Sequence, residues 1–89
     1  MSALQQMADK LADDVLAAEP ELGDDRFYEK VSAVLLAASP TFQEAFMTSI
    51  RVRLAERRGR EFLERSLAAK RGEIAEEPEV PLELSGSGH

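Results

Sequence analysis

A chain of 89 residues with a net charge of −6, no cysteine and one histidine is a single domain near the size at which one core only just suffices. The lack of cysteine excludes a disulfide framework, a thiolate metal site and a thiol nucleophile. No apolar run approaches the roughly 18 residues that span a bilayer, and the N-terminus has no basic leader, so a cytoplasmic protein with no membrane partner is expected.

The charge is segregated. Residues 1–50 hold three basic and nine acidic side chains, residues 51–71 hold eight basic and three acidic, and residues 72–89 hold five acidic and none basic. A dipolar molecule follows, whose basic stretch suits its own acidic parts, another copy or an anionic partner.

Ser2 followed by Gln5 has the spacing of a capping box, and Leu4, Met7, Ala8, Leu11, Val15 and Ala18 recur at helical intervals. Glu19-Pro20 predicts the end of this helix, because the proline ring disfavours helical geometry in the residue before it. The first helix is placed at 3–18. The connector PELGDD offers Asp24 or Asp25 as the next N-cap. A second helix at 24–38 follows, with Phe27, Val31, Val34, Leu35 and Ala38 on one face and Tyr28 and Leu36 off its centre. So wide an apolar arc marks it for the centre of a bundle or for a seam between copies.

Ser39-Pro40-Thr41 begins a third helix, either with Ser39 as cap and Pro40 in the first turn, or through a Thr41–Glu44 capping box. Phe42, Ala45, Phe46 and Ile50 form its apolar face. Arg53, Arg57 and Arg60 then occupy that same face before Leu63, Leu67 and Ile74 return to it. Three explanations compete. The helix breaks near Gly59 into segments at 41–58 and 60–71; it runs on for about 46 Å past a small core; or its arginines meet acidic side chains of a partner helix. The break is preferred, since it lets Phe62, Leu63 and Leu67 fold back onto the core. Gly72 suits the C-terminal cap, with Lys70 and Arg71 complementing the helix dipole.

Residues 1–72 are therefore read as an all-α domain of three to four helices with short connectors. Residues 73–84, EIAEEPEVPLEL, are expected to form a flexible acidic tail, extended or disordered, whose Val80, Leu82 and Leu84 alternate along one edge. The closing SGSGH, residues 85–89, resembles an expression linker with the first residue of a histidine tag, which sets His89 aside.

The arginines carry the functional reading. Arg51, Arg53, Arg57, Arg58, Arg60 and Arg65 could grip an acidic protein or a phosphate backbone, since a guanidinium binds both bidentately. Against this stands a plain solvated helix, because Glu56–Arg60, Arg57–Glu61, Arg60–Glu64 and Glu61–Arg65 all have the i,i+4 spacing of intrahelical pairs. Phe62 alone supplies an aromatic inside the cluster, thin support for nucleic-acid stacking. The carboxylates Asp9, Asp13, Asp14, Asp24 and Asp25 lack histidine partners and the ligand ladder of a calcium loop, so neither metal nor cofactor is expected. Gly23, Gly59 and Gly72 are isolated and make no phosphate loop, and no serine has an evident base, which points away from an enzyme.

The expected function is a non-enzymatic interaction module, a small homo-oligomeric adaptor or regulator. Its partner-binding residues are Arg51, Arg53, Arg57, Arg58, Arg60 and Phe62, facing an acidic protein surface. Its oligomer seam is Phe27, Val31, Val34, Leu35, Phe42, Phe46 and Ile50, self-association being the usual supplement to so small a core. The alternatives are a nucleic-acid-associated regulator using the same arginines and a purely structural assembly subunit. The arginine- and alanine-rich composition also suits a bacterial or phage origin.

Overall fold

A computed structural model of the chain describes residues 2–72. It is all-helical over those residues, with α1 at Ala3–Leu22, α2 at Phe27–Ala38 and α3 at Pro40–Lys70. The predicted tail at 73–84 and the closing residues 85–89 lie outside the described residues. Packing divides the chain into two units, Met1–Ala55 and Glu56–His89, with the boundary inside α3.

The first unit holds the core. Ala12, Val15 and Leu16 of α1 close on Phe46 and Ile50 of α3, and Leu11, Phe27, Tyr28, Val31, Leu35, Met47 and Leu54 pack around them. Phe46 and Ile50 have no exposed surface at all. Ala8 and Ala12 are equally buried. Ala12, in the same cluster as Phe46, is small enough to leave room beside α1 for the bulk of the phenylalanine.

Ser2 caps α1 by accepting the Gln5 N–H at 3.1 Å, but the reciprocal half of the box is not made. The Gln5 side chain reaches forward instead and donates to Asp9. The predicted end at 18 is corrected to Leu22. Pro20 sits in the last turn, where its ring removes a single helical donor. Gly23 then closes the helix at φ +67°, donating to the Pro20 carbonyl at 3.3 Å while the Asp24 N–H returns to Glu19 at 3.2 Å. This is a Schellman ending, and its left-handed residue suits glycine.

Carrying α1 through Glu19 has a consequence for α2. The Glu19 carboxylate is buried and accepts the Tyr28 N–H at 3.1 Å, so a side chain of α1 satisfies one of the free donors at the start of α2. Asp24 is not the N-cap. It accepts the Arg26 N–H and pairs with Lys30, and α2 begins at Phe27 rather than 24.

The placing of α2 at the centre is also corrected: it contains no fully buried residue, and the buried positions belong to α1 and α3. Its Phe27, Val31 and Leu35 lie half-buried against the core, while Val34 is 69% exposed and Leu36 53%. The apolar arc is wider than the single face that the core covers.

Ser39 joins α2 to α3 alone. Its N–H donates to Leu35 at 2.7 Å, and its Oγ accepts the Phe42 N–H at 3.1 Å, so the first of the two cap readings holds. Gln43 and Ser32 hydrogen-bond across the joint at 2.9 Å.

The preferred break at Gly59 does not occur; α3 is one helix of 31 residues. One glycine costs about 1 kcal/mol relative to alanine, and the arginines, glutamates and alanines beside it favour the helix in sum. The Glu56–Arg60 pair also spans the glycine. Gly72 caps the end at φ +81°, its N–H on the Ala69 carbonyl at 3.0 Å.

Candidate functional site

The six residues assigned to partner binding separate into three environments. Arg53, in the first unit, is engaged within the chain. Its Nε donates to Asp13 at 2.6 Å, its Nη1 lies 3.7 Å from Asp9, and the same nitrogen bonds the Ser49 hydroxyl and reaches the Ser49 carbonyl at 3.3 Å. Ser49 is buried, and its hydroxyl donates a hydrogen bond to Asp9 at 2.8 Å. Asp9, Ser49, Arg53 and Asp13 thus form one polar cluster between α1 and α3. Its register, 9 on 49 and 13 on 53, makes the two helices run in the same direction.

The electrostatics follow the bonds. The Ser49 hydroxyl, then the Gln5 amide, hold the Asp9 carboxyl below the usual carboxylate range, with Arg53 adding to them. The Arg53 guanidinium does the same for Asp13. The third explanation for the arginine-interrupted face therefore applies at Arg53, with the acidic partner helix supplied by the chain itself.

Arg60, in the second unit, is paired along its own helix. Its Nε donates to Glu56 at 2.8 Å, and Nη2 reaches the same oxygen. Of the four i,i+4 pairs that the spacing offers, Glu56–Arg60 is the one formed among the described residues.

Arg51, Arg57 and Arg58 make no ion pair among the described residues and are exposed, as is Arg65. Arg51 belongs to the first unit and the other three to the second. Within the second unit Arg58, Phe62 and Arg65 follow one another at spacings of four and three, so they line one side of the helix. Phe62 is half-buried there, between two cations, and its carbonyl accepts the Ser66 hydroxyl at 2.8 Å. Leu63 and Leu67 are exposed at 51% and 41%, one turn apart. Arg65 belongs to the arginine cluster read from the sequence but not to the six residues assigned to partner binding, although its place seven after Arg58 sets it on the same side of the helix.

The residues assigned to the seam are similarly divided. Phe46 and Ile50 are consumed by the chain's own core and present nothing to a second copy. Phe42 is half-buried, as are Phe27, Val31 and Leu35, and Val34 is open to solvent.

Two shallow depressions in the first unit offer little chemistry. One is lined by Gln5, Pro40, Thr41, Glu44, Ala45 and Thr48, the other by Gln6, Met7, Lys10, Leu11 and Asp14. Among the described residues no group of three potential metal ligands converges, and no helix is long and apolar enough to cross a membrane. No protein family, curated protein or solved structure matches the chain.

Proposed function

We propose that the protein is a non-enzymatic interaction module whose second unit presents an arginine-rich helical surface to an acidic protein. The observation that supports this reading is the Arg58–Phe62–Arg65 stripe. Two exposed guanidiniums without ion pairs among the described residues flank an aromatic ring, with Arg57, Leu63 and Leu67 exposed on the same segment. Arginine and aromatic side chains are the types that dominate binding at protein interfaces. Carboxylates provide the complementary charge, and the ring and leucines provide apolar area for a polypeptide's methylene groups that a phosphate backbone would not use.

Self-association belongs to the same reading. No charged residue lies between Lys30 and Glu44, and α2 leaves Val34 and Leu36 in solvent. Val34 and Leu36 stand on opposite flanks of the solvent side of α2, with the exposed Ala33 and Ala37 between them. An uncharged apolar surface of this kind is self-complementary under a twofold axis, whereas the basic segment repels its own copy. The seam is therefore assigned to the outer side of α2, with a cytoplasmic homo-oligomer as the working form.

Titration with labelled poly-L-glutamate and with single-stranded DNA tests the reading. Poly-L-glutamate should bind, R57E/R58E/R65E should abolish binding with far-UV circular dichroism unchanged, and Phe62→Ala should weaken it. Equal binding by the triple variant overturns the assignment. A preference for DNA, with a steep log–log loss of affinity as salt rises and no response to Phe62→Ala, would transfer the surface to nucleic acid.

A further inference from the structure

We propose that the chain carries its own competitor for this surface: the acidic segment 73–84 folds back along the Arg58–Phe62–Arg65 stripe and regulates access to it. The proposal rests on reading that stripe as a surface for carboxylates and adds the occupant that holds it when no partner is present.

Three observations carry it. The described chain stops at the foot of the stripe, where Gly72, at φ +81°, ends α3 in a left-handed turn. Such a residue takes the chain off the helix axis and permits it to reverse. The following segment, EIAEEPEVPLEL, is opposite in sign to the helix it leaves: Glu73, Glu76, Glu77, Glu79 and Glu83 with no basic residue. The reach is also sufficient. Along the helix Arg65 lies about 10 Å and Arg58 about 21 Å back from Gly72 at 1.5 Å per residue. An extended chain covers about 3.3 Å per residue, which brings Glu76 level with Arg65 and Glu79 level with Arg58. Pro78 and Pro81 oppose a helix here.

A tethered competitor acts at a high effective concentration, so even weak contacts hold the surface against a dilute partner. A partner with more carboxylates, or one that also buries Phe62, displaces it. The tail then sets a threshold that suppresses non-specific anion binding.

The absence of cysteine makes a single introduced thiol unique, so Val80→Cys in the full chain accepts one spin label. Paramagnetic broadening of backbone amides is then read by NMR. The expected result is loss of intensity centred near Arg58, the residue beside which this register sets Glu79. It should disappear in about 1 M salt, where the Debye length is about 3 Å, and in R58E/R65E. Broadening that neither salt nor R58E/R65E changes reflects only the tether and overturns the proposal, as does its absence. Mixing labelled chains lacking ¹⁵N with unlabelled ¹⁵N chains reports contact between copies; broadening found only in that mixture overturns a fold-back within one chain.

Poly-L-glutamate separates this proposal from the reading on which it rests. If both hold, E76Q/E77Q/E79Q binds it several-fold more tightly than the parent chain. Equal binding by the two chains overturns the tail contact and leaves the surface in place. Binding by neither, with salt-sensitive broadening intact, overturns the surface as a partner site and leaves the fold-back standing.

Discussion

At the scale of single residues, Arg53 shows how position decides what a charge does. Its neighbours in sequence are free to meet solvent, whereas Arg53 reaches across to Asp13 and, through Ser49, to Asp9. Folding lowers the pKa of both carboxyls, so in acid the folded state binds fewer protons than the unfolded one. Their stabilising contribution is complete above the ordinary aspartate value of about 3.9 and is lost as pH falls through the depressed values. A series of thermal melts should show the midpoint falling in that acid window, with a shallower fall in D9N/D13N. An identical slope in that variant would mean the cluster is not linked to folding. The core residues predict larger effects. Phe46→Ala should cost about 3–5 kcal/mol and Ile50→Val about 0.5–1.5 kcal/mol. Total stability for a chain of this length is about 4–13 kcal/mol, so urea denaturation should find the first variant close to unfolded and the second measurably weakened.

At the scale of the helix, the informative positions are those where local preference and structure disagree. Pro20 and Gly59 both read as breaks, yet neither stops its helix. Pro20 costs α1 one backbone hydrogen bond in its last turn, where the Schellman ending at Gly23 already closes the helix, and Gly59 is outweighed by its neighbours. The caps behaved as their chemistry demands at Ser2, Ser39 and Gly72, because each uses an interaction no more than four residues away. Contacts between helices were invisible for the complementary reason. Glu19 on Tyr28 and Asp13 on Arg53 depend on which helices pack and in what register, and a single sequence does not record that. The basic segment was legible as a run of arginines, but not which of them the chain spends on itself. Two glycine variants test this account. Nothing lies within 4 Å of a methyl group added at Gly59, so Gly59→Ala should stabilise α3 by about 1 kcal/mol and raise the helical signal in circular dichroism. Gly23→Ala should destabilise by about 1–2 kcal/mol, because its φ of +67° is strained for any L side chain although space is available. Equal stability of the two variants would contradict both assignments.

At the scale of the whole molecule, the question is how an 89-residue chain divides its few apolar residues between stability and function. The first unit closes a core from α1 and α3 with α2 half-buried beside them, and leaves Val34 and Leu36 outside. Light scattering behind size exclusion should therefore find an oligomer that persists at high salt, since the proposed seam is uncharged. Val34→Glu with Leu36→Glu should dissociate it, and a monomeric parent chain would remove the seam from the account. The second unit presents Arg57, Arg58, Phe62 and Arg65 together with two exposed leucines. The measurement that tests the central claim most directly is an amide-resolved NMR titration of the full chain and of E76Q/E77Q/E79Q with poly-L-glutamate. The account predicts shifts concentrated at residues 57–67, larger at a given ligand concentration in the glutamine variant and absent from R57E/R58E/R65E. Shifts spread over α1 and α2, or unchanged in the arginine variant, would contradict it.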